Sequence, residues 1–204
     1  MSFRDIQTSK DVENYHNRLI QGYPDRPAVV NHIIDLIQQS DFHNLNLLEL
    51  CIGPGQLAKA LCTSFPNINY IGLDFMQPFL DYTAKNLPIE ANATFICADL
   101  TLDNWVEQIT QKGIQPFDVI VSMQSLHDVG GQERAEKIYQ HSFRLLGENG
   151  LFINADLITQ VGEEANARPG RLTVPMHQKL LLNSGFKAID CSFTNQFGIC
   201  HGIK

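Results

Sequence analysis

The chain has 204 residues, with 15 Lys and Arg against 22 Asp and Glu, giving a net charge of −7. That balance argues against a phosphate-backbone partner, because non-specific nucleic-acid affinity comes from clustered Lys and Arg. Hydrophobic residues at 44% and charged residues at 18% are ordinary for a globular protein, and no apolar run is long enough to span a membrane. One domain over residues 1–204 is expected, with a helical N-terminal segment (1–44) and a core (45–204). The charged start, MSFRDIQTSKDVENYH, lacks the apolar core of a secretory signal, which points to the cytosol.

Residues 8–21 and 27–40 read as two helices joined by a Gly22-Tyr23-Pro24-Asp25-Arg26-Pro27 turn. Apolar runs of the kind found in buried parallel strands then recur at Leu45 to Leu50, Tyr70 to Leu73, Ala93 to Cys97, Phe117 to Val121 and Leu151 to Ala155. Between them lie helical segments at Gln56 to Phe65, Met76 to Asn86, Asn104 to Lys112 and Gln132 to Leu146. The alternation predicts a doubly wound, Rossmann-like α/β sheet. A polar connection, Thr159 to Thr173, leads to a helix near Met176 to Ser184, and two apolar strands around Thr194-Asn195-Gln196 read as an antiparallel hairpin. The five cysteines, Cys51, Cys62, Cys97, Cys191 and Cys200, form no C-x-x-C pair, so buried free thiols are expected rather than disulfides or zinc.

The stretch Leu47 to Leu57 is a strand running into a glycine turn with a helix behind it, the form of a nucleotide-like cofactor site. Gly53 and Gly55 are expected to leave room for a ligand against the backbone. Gly53-x-Gly55-x-x-Ala58 satisfies the relaxed dinucleotide fingerprint, so an NAD enzyme has to be weighed. Three acids at strand ends bear on the choice, because ligands of open α/β sheets lie across the carboxyl ends of the strands. Asp74 is placed to accept hydrogen bonds from ribose hydroxyls, which suits either cofactor. Glu49, before the glycines, suits an ammonium group and not a pyrophosphate. Asp99 is placed to accept from an adenine amino group.

With these features the chain resembles the class I S-adenosylmethionine-dependent methyltransferases of small-molecule type from about Leu45 to Lys204. Glu49-Leu50-Cys51-Ile52-Gly53-Pro54-Gly55 is similar to the family's first motif, Gly72-Leu73-Asp74 to its ribose motif and Asp99-Leu100 to its adenine motif. Phe117 to Val121 with Leu126-His127, Leu145 to Ile153, and the final hairpin resemble its later motifs, with Asn149 where glycine is common. The resemblance implies a seven-stranded, mostly parallel sheet with a reversed last strand. It implies S-adenosylmethionine as cofactor, held by Glu49, Cys51, Gly53, Gly55, Asp74, Phe75, Met76, Asp99, Leu100 and Met123. Cys51 departs from the family, which most often has a glycine there. A nucleophilic role for it is disfavoured because no base is evident beside it.

Methyl transfer from a sulfonium is an in-line displacement, so alignment and removal of the acceptor's proton are the protein's tasks. His127 is the candidate general base, against a plain reading as a helix cap or a packing group. Tyr15, Tyr23, Gln124, His127 and Asp156 are expected on the side of a small-molecule acceptor, with Tyr15 and Tyr23 in a lid. Asp128 is read as capping its turn, Asp118 as structural, and Arg168 and Arg171 as a solvated loop. His141, His177 and His201 lack metal-ligand spacing, so no metal is expected. The alternatives are a non-catalytic domain that binds S-adenosylmethionine for regulation or assembly, and an NAD-dependent oxidoreductase. A monomer or homodimer is expected, with no nucleic-acid or membrane partner.

Overall fold

The computed structural model describes residues 3–40, 42–113, 116–163 and 170–204. Its strands are β1 (Asn46–Leu50), β2 (Asn69–Asp74), β3 (Asn92–Cys97), β4 (Phe117–Met123), β5 (Leu146–Leu157), β6 (Lys187–Phe193) and β7 (Phe197–Ile203). They form one sheet in the order β3-β2-β1-β4-β5-β7-β6. Neighbours from β3 to β5 pair in parallel, whereas β7 runs antiparallel to both β5 and β6. The helices are α1 (Ser9–Gly22), α2 (Arg26–Gln38), α3 (Gln56–Ser64), α4 (Gln77–Asn86), α5 (Trp105–Thr110), α6 (Leu126–Val129), α7 (Gln132–Leu145) and α8 (Val174–Ser184). None of the described helices is long and apolar enough to cross a membrane.

Successive strand residues point to opposite faces, and both faces are covered. Leu47, Tyr70, Val119, Val121 and Ile153 meet Val29, Ile33, Leu57 and Leu61 from α2 and α3. Leu48, Leu50, Ile71, Ile120 and Phe152 meet Trp105, Ile138, Tyr139 and Leu180 from α5, α7 and α8. Asp118 ties the middle of the sheet together, its Oδ2 accepting from the Asn46 backbone N–H at 2.8 Å. The expected doubly wound sheet is thus present, with its reversed seventh strand.

The N-terminal helices divide in a way the sequence reading did not foresee. A reciprocal capping box starts α1: the Asp11 N–H donates to Thr8 Oγ1 and the Thr8 N–H to Asp11 Oδ2. This helix packs on α4 through a small separate cluster of Ile6, Val12 and Phe79. By contrast α2 buries Val29, Val30, Ile33 and Ile37 in the main core. Phe3, with Tyr15 and Leu19 of α1, reaches the carboxyl ends of the strands.

Other differences are local. The strand expected from Leu151 begins at Leu146, because Leu146 pairs with Phe117 before a register shift. Asn149 takes a φ of 60°, a left-handed conformation that asparagine tolerates better than most residues. The free-thiol expectation fails for two cysteines: Cys191 and Cys200 are bonded to each other. The physical reason is register, since the hairpin pairs Phe193 with Gly198 and so puts Cys191 and Cys200 directly opposite across β6 and β7. Arg168 lies outside the described residues.

Candidate functional site

A cavity of ≈ 270 Å³ opens at the carboxyl ends of β1, β2, β3 and β4. It lies where the strand order reverses between β1 and β4, the usual ligand crevice of such sheets. The chain leaves both of these strands through a non-glycine residue in the left-handed region, Cys51 and Gln124, each with φ 56°. Such a conformation costs on the order of 1–3 kcal/mol and clusters at functional sites. Both side chains belong to the cavity wall. Burial pushes the Cys51 thiol well above its usual value, which agrees with reading it as an inert small group.

The two glycines of the turn have different tasks. Gly53 (φ 52°) lines the cavity and has open space where a side chain would start. Its N–H donates to Asp74 Oδ2 at 2.9 Å. Gly55 (φ 78°) does not reach the wall: a Cβ there would overlap the Thr83 side chain of α4. The expectation that both glycines make room for a ligand is corrected for Gly55, whose size serves packing between the turn and α4. Replacing Gly55 with Ala is expected to cost about 2–4 kcal/mol from the strained φ and the overlap together. Thermal denaturation checks this, and adding Thr83→Ala should recover the steric part only.

Asp74 closes β2 and is buried in the wall. Its Oδ1 accepts from the Met76 N–H at 2.9 Å, complementing the bond from Gly53 to Oδ2. Burial raises its pKa to about 6, against the lowering effect of the N–H groups of Met76, Gly53 and Phe75. A carboxylate has about four lone-pair sites, so each oxygen keeps capacity toward the cavity. Asp99 also lines the cavity, its Oδ1 accepting from the Thr101 N–H at 2.8 Å, with Leu100, Phe75 and Met123 nearby in the wall. Met76 is not a wall residue; its side chain packs with Ile6 and Phe79 while its N–H holds Asp74.

Glu49 is buried at the cavity floor and accepts from the Tyr70 hydroxyl at 2.7 Å. Burial drives its pKa up to about 8, with the Tyr70 hydrogen bond and the Arg26 charge working the other way. Arg26 was missed by the sequence reading. At the start of α2 it is 3% exposed, lines the same cavity, and donates through Nε to Gln56 Oε1 at 2.9 Å and through Nη1 to Gln124 Oε1. Burial lowers even this guanidinium to about 10. No local signal marks Arg26 in the sequence, because its partner Gln124 is 98 positions away.

At the open end of the cavity stand Phe3, Tyr15, Leu19, Asp128 and Val129. The Tyr15 ring leans on Phe79 at 5.6 Å and Phe3 meets Phe75 edge-on at 6.2 Å. Burial and then the Asp128 charge raise the Tyr15 pKa, which puts these two groups near one another. Tyr23 is elsewhere, packed edge-on against Phe197 at 6.1 Å and outside the wall, so its expected acceptor contact is corrected.

His127 lies behind the wall on the short helix α6, which the sequence reading did not foresee. Asp156, at the end of β5 and 1% exposed, grips it twice: Oδ2 accepts from the His127 backbone N–H at 2.8 Å, and Oδ1 lies 2.6 Å from Nδ1. Asp156 is therefore corrected from an acceptor contact to a buried partner of His127. With Nδ1 engaged, Nε2 faces Asp128 Oδ2 at 3.3 Å. Burial alone would lower the His127 pKa, but the charge of Asp156 and the hydrogen bonds of Asp128 and Asp156 outweigh it and raise it to about 9.

The sequence pattern described as "Methyltransferase domain" matches residues 47–150. No curated protein matches the sequence. Among solved structures, an O-methyltransferase family protein from Burkholderia thailandensis superposes with a TM-score of 0.73 at 12% identity, over 96% of this chain and 60% of its own. The DszA carbon methyltransferase gives 0.73 at 16% identity over 100% and 60%. PigF, solved with SAH, gives 0.70 at 16% identity over 100% and 63%. The chain thus spans about 60% of the length of these three proteins.

Proposed function

Because the chain belongs to the methyltransferase-domain family of class I S-adenosylmethionine-dependent enzymes, we propose that its cavity binds S-adenosylmethionine and presents it to a small-molecule acceptor. One observation carries this reading: Glu49, Asp74 and Asp99, from three neighbouring strand ends, share one cavity with the open Gly53 backbone. These residues fit the cofactor's parts. Glu49 takes the ammonium, Arg26 and Gln124 take the carboxylate, Asp74 takes the ribose hydroxyls, and Asp99 with Leu100 takes the adenine edge beside Phe75. When bound, S-adenosylmethionine supplies an electrophilic methyl group on a cationic sulfur, which an acceptor's lone pair displaces in line. The pyrophosphate of NAD would instead meet the buried Glu49, which disfavours the oxidoreductase reading.

The chain's own groups then have three tasks. The wall aligns the acceptor, the aromatic side chains of the N-terminal segment exclude water, and the acceptor's proton passes to His127 Nε2 by way of the Asp128 carboxylate, which lines the cavity 3.3 Å from Nε2, while Asp156 fixes the ring. Calorimetry and thermal shift with S-adenosylhomocysteine and NADH test the cofactor assignment. Stabilisation by the first alone is expected, and stabilisation by NADH alone overturns it. Formation of S-adenosylhomocysteine over an acceptor panel separates the enzyme from a domain that only binds.

Binding carries a proton signature. With its pKa at about 8, Glu49 is mostly protonated at pH 7 in the cofactor-free protein, and an ammonium group favours the charged form. Calorimetry in buffers of different ionisation enthalpy is expected to show release of about one proton at pH 7 and far less at pH 9. Affinity accordingly rises with pH through about 8. Stability of the cofactor-free protein moves the other way. The raised Glu49 pKa contributes stability that is fully present below the ordinary carboxyl value of 4.5 and is lost as pH climbs through about 8.

A further inference from the structure

The floor of the cavity holds a cation in an unusual setting. Among the described wall residues Arg26 is the one positive charge. It is 3% exposed, and both of its anchors are neutral amide oxygens: Gln56 Oε1, reached from Nε at 2.9 Å, and Gln124 Oε1, reached from Nη1. Among the described residues no carboxylate lies within ion-pair distance of it. Buried charges are ordinarily paired, because an unpaired one loses its hydration without compensation. The two amide bonds use only part of a guanidinium's donor set, and the rest remain on a side chain that lines the cavity.

The groups around Arg26 sharpen this. Glu49 of β1 is the acid whose charge reaches it, and Tyr15 and His16 of α1 and Tyr23 are the other titratable groups facing it. Burial keeps Glu49 mostly protonated at pH 7, with its pKa pushed up to about 8; its further titratable neighbours are Tyr70 and Asp74 of β2 and Cys62 of α3. In the cofactor-free protein at neutral pH the floor is therefore a fixed cation beside a neutral acid. That pair complements a carboxylate first, and an ammonium only once Glu49 has given up its proton. The anchors also fix the guanidinium in place: Gln56 opens α3 directly after the glycine turn, and Gln124 leaves β4 with φ 56°. A planar fork held at these two chain ends loses little freedom when a carboxylate arrives.

Building on the cofactor reading above, we infer that Arg26 selects the cofactor by its tail: the cavity takes adenosine sulfonium and thioether compounds whose tail carries a carboxylate, and discriminates against those whose tail ends in an amine alone, decarboxylated S-adenosylmethionine among them. An amine-only tail leaves the guanidinium unpaired and sets a second cation beside it, a like-charge contact of the kind that rejects wrong partners. This gives Arg26 a specificity role beyond tying α2 to α3 and β4.

The test is titration calorimetry of the full chain at pH 7 with three probes: S-adenosylhomocysteine, its decarboxylated analogue, which keeps the amine, and its deaminated analogue, which keeps the carboxylate. The decarboxylated analogue is expected to bind about 10- to 100-fold more weakly than the deaminated one. S-adenosylhomocysteine should release about one proton and the deaminated analogue about none, since only an ammonium calls for a charged Glu49. In Arg26→Met the preference for the carboxylate should fall below about threefold, and Arg26→Lys, which keeps the charge, should restore it in part. Should circular dichroism show Arg26→Met unfolded, the wild-type ratio and proton counts decide. Equal binding of the two analogues by the wild type, a preference for the amine, or an unchanged ratio in folded Arg26→Met overturns the inference and leaves Arg26 as a structural tie. Failure of all three nucleosides to bind would overturn the cofactor reading, and this inference with it. Normal S-adenosylhomocysteine binding with no preference between the analogues would overturn this inference alone.

Discussion

Replacing Asp74 with Ala is expected to weaken S-adenosylhomocysteine binding by about 10²- to 10⁴-fold. The figure follows from two ribose hydrogen bonds to a charged group at about 1.5–3 kcal/mol each. Asp74 also holds the Gly53 and Met76 N–H groups, so the variant should melt at a lower temperature as well. Calorimetry below that transition separates the two effects. Asp74→Asn keeps the shape and one acceptor oxygen, and is expected to fall between the wild type and the alanine variant. An alanine variant that binds with unchanged affinity would remove the ribose assignment and leave Asp74 as a support for the glycine turn alone.

His127→Ala is expected to lower kcat by about 10²- to 10⁴-fold for an acceptor that must lose a proton. S-adenosylhomocysteine affinity should change little, because His127 is not part of the cavity wall. The sign of the pH dependence follows from the raised pKa. A base must be unprotonated, so wild-type turnover rises with pH toward the His127 midpoint, about 9 in the cofactor-free protein. With a cationic cofactor nearby the midpoint is expected to be lower. Asp156→Asn removes the charge that most raises this pKa, so its profile should shift to lower pH while maximal turnover falls through loss of ring orientation. A flat profile in the wild type, or an alanine variant with full turnover, would return His127 to a structural role. The same shift has a stability consequence. Its contribution is fully present below the ordinary imidazole value of 6.5 and is lost as pH rises through about 9.

Much of the fold was legible in the sequence because it rests on local signals. Buried parallel strands must be apolar on both faces, so β1 to β5 stand out as runs such as Leu47-Leu48 and Val119-Ile120-Val121. The order of acids and glycines after β1, β2 and β3 located the cavity for the same reason, since strand ends converge at the switch point. The hairpin was also legible, yet its disulfide was not. Counting outward from a loop of Thr194 to Gln196 sets Cys191 opposite Ile199, and only the register of the folded hairpin, one position further along, pairs it with Cys200.

The sequence alone determined the sheet, its glycine turn and the three acids that suit a nucleoside cofactor, because each depends on residues near one another in the chain. Tertiary structure decided the rest. It brought Arg26 to Gln124 across 98 positions, turned Gly55 toward Thr83 instead of a ligand, and withdrew Tyr23 to Phe197. It also set Asp156 behind His127 and left Asp128 at the cavity mouth. These roles depend on direction and distance after folding, and a side chain's chemistry does not reveal which neighbour it will face.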